Sequence, residues 1–389
     1  MSPQAQAISL HFPTRVRVCG ELIQGHIVLN VPLALKDGIE AVRVKLRGSI
    51  YVEITESRHT SNGNRTDTQR RRVEVLRADA SLWTQGDPQA GVVNLPFQFH
   101  LPPNLPPSFH SSVHRRKGII SYAIEIVADR PGIFKMNRRI ASVFSVVPAA
   151  TPQDLVYQEF LLQGWSGEWK AVVHEDKIRR GIWGDYSVVK TKLVLPALAT
   201  FPMSTPFPFR IHITTETKPG PEEKPGFPAP PLNFSQLEFT LIRNVHFRTG
   251  KRSAHVGETV LLLGETGDSP ASATHLMEAD APEWIPTNQK GKGVWRRTVH
   301  MQSSISLSVP PTFDTPPLSW DYAFRLRVPF PGIGNDVQSD SVVYIVPAFA
   351  CPPAQPFTYA DIPPPGPAPT LDLPPAYWAG ENHDWDDQK

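Results

Sequence analysis

Cysteine is scarce: Cys19 and Cys351 are the whole supply in a chain of 389 residues. Two thiols so far apart in sequence make neither a disulfide framework nor a zinc site, and the expectation is reduced thiols in a reducing compartment. An excess of one charge is missing too. The 39 Lys plus Arg and 37 Asp plus Glu leave a net charge of +2, no general reason to expect nucleic acid as a partner. No apolar run approaches the ~18 residues that span a bilayer. The opening "MSPQAQAISLHF" lacks the basic segment and apolar stretch of a secretory signal. A cytoplasmic protein is expected.

Catalytic signatures are also lacking. His110 and His114 are four apart, but Pro106 and Pro107 precede them and HExxH is absent. "GETGDSP" (264–270) and "GWSGE" (164–168) fall short of GxSxG, and no phosphate-cradling GxxxxGK[ST] occurs. The expectation is no enzyme, no catalytic residue, no metal and no cofactor.

Proline is abundant, with 42 residues, roughly twice average usage. That density forbids long helices, because an interior proline removes a donor and clashes with the preceding turn. Short strands with proline-rich connections tolerate it. "ISLHF" (8–12), "RVRV" (15–18), "HIVLNV" (26–31) and "EAVRVKLRGSIYVEIT" (40–55) carry period-two hydrophobicity. In the last, Val42, Val44 and Leu46 face one way and Arg43, Lys45 and Arg47 the other, one buried face and one wet. The polar stretch 56–72 reads as a long loop. Strands resume at 73–78, 94–102, 118–132 and 138–148. After a linker at 148–154, a second series runs from "WKAVVH" (169–174) to "SVVYIVP" (341–347), broken by proline-rich loops at 218–231 and 268–293. The fold class is all-β, two sandwiches. From Ala348 the pattern stops, and ten of residues 351–389 are proline. Such a segment cannot bury enough apolar surface to offset chain ordering, so 348–389 reads as a disordered proline-rich tail.

Three stretches resemble the arrestin superfamily, and in particular the alpha-arrestins, arrestin-domain-containing trafficking adaptors. They are "GELIQGHIVLNV…EAVRVKLRGSIYVEI" (20–54), "LPFQFHLPPNLPPSF…GIISYAIEIVAD" (95–129) and, more weakly, "VLPALATFPMSTPFPFRIHI" (194–213). The resemblance implies two arrestin-like, immunoglobulin-like β-sandwich lobes, 8–148 and 155–347, and no catalysis by the chain itself. Fold alone does not give function.

"LDLPPAYWAG" (371–380) supplies a site. Pro374 and Pro375 favour polyproline II and would fill the aromatic groove of a WW domain. Tyr377 would take a neighbouring pocket and Leu373 the flank. In alpha-arrestins such PPxY motifs recruit HECT-class ubiquitin ligases, so the implied function is an adaptor. Its body would recognise cytosolic tails or loops of membrane transporters or receptors, and its tail would bring the ligase for cargo ubiquitylation and endocytosis. Peripheral recruitment to the plasma membrane or endosomes would follow. The alternative is a non-ligase scaffold or sorting-coat subunit in vesicle trafficking. Many alpha-arrestins carry several PPxY motifs; here one is complete, and "PPPGPAP" (363–369) lacks the tyrosine. Basic clusters at Arg70, Arg71 and Arg72, at Arg115, Arg116 and Lys117, and at Arg138 and Arg139 are either solvated faces or a convergent surface for acidic cargo or anionic lipid.

Overall fold

The computed structural model describes residues 6–13, 15–60, 63–132, 136–179, 184–222, 229–263 and 276–353. The first ten strands are β1 (Ile8–His11), β2 (Arg17–Val18), β3 (Leu22–Asn30), β4 (Ala41–Thr60), β5 (Gly63–Thr84), β6 (Val92–His100), β7 (Phe109–Val113), β8 (Arg116–Asp129), β9 (Arg138–Phe144) and β10 (Val146–Val147). They make the sheets β1–β3–β6 and β5–β4–β8–β7, with β9 also on β8, and a short parallel pair β10–β2. On β4, Val42, Val44, Leu46, Ile50, Val52 and Ile54 are buried, the alternation expected of a sheet with one apolar face. The opposite face is less wet than the alternation implies. Lys45 and Arg47 are buried there, Arg47 pairs with Asp79 at 2.6 Å, and Arg43 pairs with Asp129 at 2.7 Å.

The remaining strands are β11 (Trp169–Arg179), β12 (Tyr186–Pro196), β13 (Phe201–Pro202), β14 (Phe207–Glu216), β15 (Glu238–Arg248), β16 (Ser253–Leu263), β17 (Leu276–Ala279), β18 (Glu283–Pro286), β19 (Gly293–Ile305), β20 (Phe313–Asp314), β21 (Leu318–Val328), β22 (Val337–Val343) and β23 (Ile345–Val346). One sheet runs β11–β12–β14–β19–β17 with β18 on β19, and the other β16–β15–β21–β20 with β22 on β21. Inward alternation is clean on β14, where Phe207, Phe209, Ile211 and Ile213 are fully buried.

Both halves close in the same way. In the first, the Tyr122 hydroxyl donates to the Pro106 carbonyl at 2.6 Å, and Ser108 exchanges hydrogen bonds with Val146. In the second, the Tyr322 hydroxyl donates to Pro310 at 2.8 Å, and Thr312 exchanges the same two bonds with Ile345. The parallel pair β13–β23 answers β10–β2. "PPSF" (106–109) and "PPTF" (310–313) are therefore one structural device used twice.

Several expectations are corrected. Residues 56–72 are not a long loop: β4 and β5 pair antiparallel from Ala41–Thr84 to Thr60–Gly63, with register shifts only at Val42/Arg43 and Gly48/Ser49, so most of that stretch is a hairpin. Thr55 and Thr68, directly opposite, join their hydroxyls at 2.9 Å, a cross-strand pair that suits such a polar ribbon. The loop expected at 268–293 contains β17 and β18, which pair with β19. Two short helices went unforeseen, α1 (Val31–Lys36) and α2 (Pro152–Leu162). The supposed linker 148–154 holds the start of α2, where Thr151 and Asp154 form a reciprocal capping box. Pro152 stands in the first turn, where its missing N–H costs nothing. No helix among the described residues is long and apolar enough to cross a membrane.

Candidate functional site

The basic clusters converge only in part: members of two share one face of a sheet, and the third lies apart. β4, β5 and β8 place Glu53 opposite both Arg70 and Lys117, and Tyr51 opposite Arg72, on one face of the sheet. Alternation turns Arg71 to the other face, opposite Val52, which also stands opposite Gly118. On the first face the Tyr51 hydroxyl donates to the Glu53 carboxylate at 2.5 Å, Arg70 donates to it at 2.8 Å, and the Arg72 guanidinium lies 5.9 Å from the Tyr51 ring centroid. The hydrogen bond from Tyr51, then that from Arg70, holds Glu53 below the ordinary carboxylate range. Burial and the Glu53 charge push the Tyr51 phenol up. Glu53 thus remains an anion that organises cations around it.

Arg115 extends this surface. His114 and Arg115 both have positive φ, 48° and 64°, in the two-residue turn joining β7 to β8. A primed turn matches strand twist but strains residues with a Cβ, by about 1 kcal/mol each. The strain is held by the Thr55 N–H bonded to the Arg115 carbonyl at 3.0 Å, and by the Arg115 guanidinium donating to Ser57. Arg116 turns back and donates to the His114 carbonyl at 3.0 Å. Arg138 and Arg139 belong elsewhere. They stand opposite Ala128 and Val127, about 33 Å along β8 from Lys117. Arg138 pairs with Asp37 at 2.9 Å and Arg139 with the buried Glu125 at 3.1 Å, a structural role. The coherent candidate surface is therefore Arg70, Arg72, Arg115 and Lys117 around Tyr51 and Glu53.

The reverse face of the same strands meets the second half of the chain. A Cβ on Gly118 would stand 2.9 Å from Leu318 and 3.0 Å from Phe247, so only glycine allows the two sheets this close. Ser111 donates to Glu258 at 3.2 Å, and Glu258 also holds Arg243 at 2.6 Å. The Arg243 guanidinium lies 4.8 Å from the Phe109 ring centroid. Farther out, Thr249 bonds Gln69 at 3.3 Å, while Arg252 pairs with Asp67 and reaches Glu56 at 3.5 Å. Sequence reasoning missed this joint. The signals were available in Gly118, small on an otherwise bulky strand, and in Arg252 beside a turn.

The described residues thus form a pair of β-sandwiches locked by an apolar and ionic joint, with a cationic face on the outer side. Residues 7–152 match the family model for arrestin (or S-antigen), N-terminal domain. That match is a similarity to the arrestin N-terminal domain over the N-terminal lobe. Leu373, Pro374, Pro375 and Tyr377 lie outside the described residues.

Proposed function

We propose that this protein is an alpha-arrestin adaptor. Its body binds cytosolic segments of membrane-protein cargo, and Pro374, Pro375 and Tyr377 dock a WW-domain HECT ubiquitin ligase. The observation that carries this reading is the combination of a lobe matching the arrestin N-terminal domain with a Pro-Pro-Ala-Tyr tetrad beyond the last described strand. Tethering raises the ligase's effective concentration at cargo lysines, so ubiquitylation and endocytic sorting need no bond-making by this chain. The face around Glu53 suits acidic or phosphorylated cargo tails, because guanidinium groups bind carboxylate and phosphate in fork geometry. Recruitment to plasma membrane or endosome would follow from cargo.

The test is titration of WW domains from HECT ligases with a peptide spanning residues 370–382, beside its Tyr377→Ala form. Binding by the first and at least ~10-fold weaker binding by the second is expected, since loss of a buried aromatic anchor costs more than ~1.4 kcal/mol. Equal affinities, or none for either peptide, would replace the adaptor with the scaffold or sorting-coat subunit.

A further inference from the structure

The two cysteines, widely separated in sequence, come together in space. Cys19 follows β2, its N–H bonded to the Val147 carbonyl at 2.9 Å, and its side chain is fully buried. Past β23 the chain turns back onto the N-terminal lobe. The Phe349 carbonyl accepts the Ala150 N–H at 2.8 Å, and the Phe349 ring packs against the core. Two residues on, the Cys351 sulfur reaches Gly20, the immediate neighbour of Cys19. A Cβ on Gly20 would lie 3.1 Å from that sulfur. Gly20 has φ +89°, so glycine both permits the turn and leaves the space that the Cys351 thiol enters.

We infer that Cys19 and Cys351 form a reversible intramolecular disulfide when the protein meets a hydroperoxide, fastening the root of the C-terminal segment to the N-terminal lobe. The two sites differ as such a pair requires. Cys351 is exposed and open to oxidant, whereas Cys19 is sealed from it. Burial pushes the Cys19 thiol up to about 11, which keeps it protonated and spares it direct oxidation. The Cys351 thiol first attacks hydrogen peroxide: the O–O bond breaks, one oxygen remains on sulfur as sulfenic acid, and one water leaves. The Cys19 sulfur then displaces that oxygen as its proton passes to the departing hydroxide, the S–S bond forms, and a second water leaves. Two thiols lose two protons and two electrons, and the peroxide takes them up as two waters.

A disulfide requires Cα atoms roughly 4.4–6.8 Å apart, and Cys351, in an irregular segment past β23, is the side that would move to meet it. A thiol reductant would reopen the link. The consequence is local: residues beyond Cys351 would leave from a covalently fixed point on the N-terminal lobe instead of from a hydrogen-bonded one.

The experiment treats the full chain with hydrogen peroxide, blocks remaining thiols after unfolding, and maps peptides by mass spectrometry without reduction. The expected product joins the Cys19 and Cys351 peptides, two hydrogens lighter, in a chain that remains monomeric on a non-reducing gel. Cross-linking should run at least ~10-fold faster folded than in guanidinium, because folding supplies the effective concentration. In Cys19→Ser, Cys351 should proceed to sulfinic acid or an intermolecular dimer, and in Cys351→Ser, Cys19 should stay reduced. Wild-type protein that over-oxidises Cys351 while Cys19 remains fully alkylatable would overturn the inference. So would cross-linking no faster in the folded chain than in the denatured one.

Discussion

Phe109 and Trp320, one from each half of the chain, stack with ring centroids 4.0 Å apart and planes 11° from parallel. Both rings are fully buried, and the Trp320 indole N–H donates to the Pro311 carbonyl at 2.9 Å, which fixes its tilt. Removing a buried ring at such a point leaves a cavity, and Phe109→Ala should cost about 3–5 kcal/mol. Because the stack spans the joint, the loss should also uncouple the halves. Calorimetry is expected to give one transition for the wild type and two for the variant, with Trp320 fluorescence shifted to the red. A variant that melts in one transition at the wild-type temperature would contradict this.

Arg252 is the ionic counterpart of that stack. Its side chain is 10% exposed, held by Asp67 and Glu56 of the β4–β5 hairpin. The partners are far more open to solvent, so screening limits the gain. Removing the cation should cost about 0.2–1 kcal/mol, because the carboxylates left behind remain open to solvent. A double-mutant cycle of Arg252→Ala with Asp67→Ala should give a coupling above about 0.5 kcal/mol. Strict additivity would show that the contact contributes nothing to holding the hairpin on the second lobe.

Three cross-strand histidine pairs make stability fall in acid. His11 and His26 stack at 4.7 Å, His246 and His255 at 4.5 Å, and His212 and His300 share a hydrogen bond between their Nδ1 atoms at 2.6 Å. Asp280 can only accept from His300 Nε2, at 3.2 Å, so neutral His300 offers Nδ1 as acceptor and His212 donates. A second proton leaves that bond with two donors and no acceptor. Burial, and next the paired imidazole, lowers the pKa of His26, His212 and His246 below 6.5. The unfolded chain therefore binds protons first as pH falls, and stability rises with pH through this window. Melting temperature should be level above about pH 7 and drop as pH falls from about 6.5 through the depressed values. In His212→Gln with His300→Gln the acid drop should shrink; an unchanged profile would remove the pair from the account.

The C-terminal segment divides at its root. A chain ending at Pro353 retains the Ala150–Phe349 hydrogen bond and the Phe349 contact, and its melting temperature should match that of the full chain. One ending at Pro347 loses both, and about 1–3 kcal/mol of stability should go with a half-buried phenylalanine. Equal melting temperatures for the two truncations would mean that Phe349 does not dock in solution.

Much of the architecture is legible in the residues, because period-two alternation is local. The buried row Val42, Val44 and Leu46 follows from it, as do Phe207 and Phe209. The polar ribbon at 56–72 hid its strands, since its ladder of hydrogen bonds runs between backbone groups and needs no apolar face. The helix at Pro152 was obscured by composition, although Thr151 and Asp154 carried its cap in plain sight. The basic clusters were read as runs, yet strand geometry sends Arg70 and Arg71 to opposite faces and Arg138 to a distant ion pair. Where the chain is read as structureless from Ala348, Phe349 still docks, because one ring and one hydrogen bond need no periodic pattern. The inter-lobe joint is least legible of all: Gly118 acquires its meaning only from Leu318 and Phe247, far along the chain.

The doubled tyrosine–proline clasp bears on covalent regulation. Tyr122 and Tyr322 bury both ring and hydroxyl, so no kinase working on the folded chain can transfer a phosphoryl group to either. Two of the eight phenols are thereby withdrawn from signalling. Their nitration or iodination would report unfolding of one half or the other.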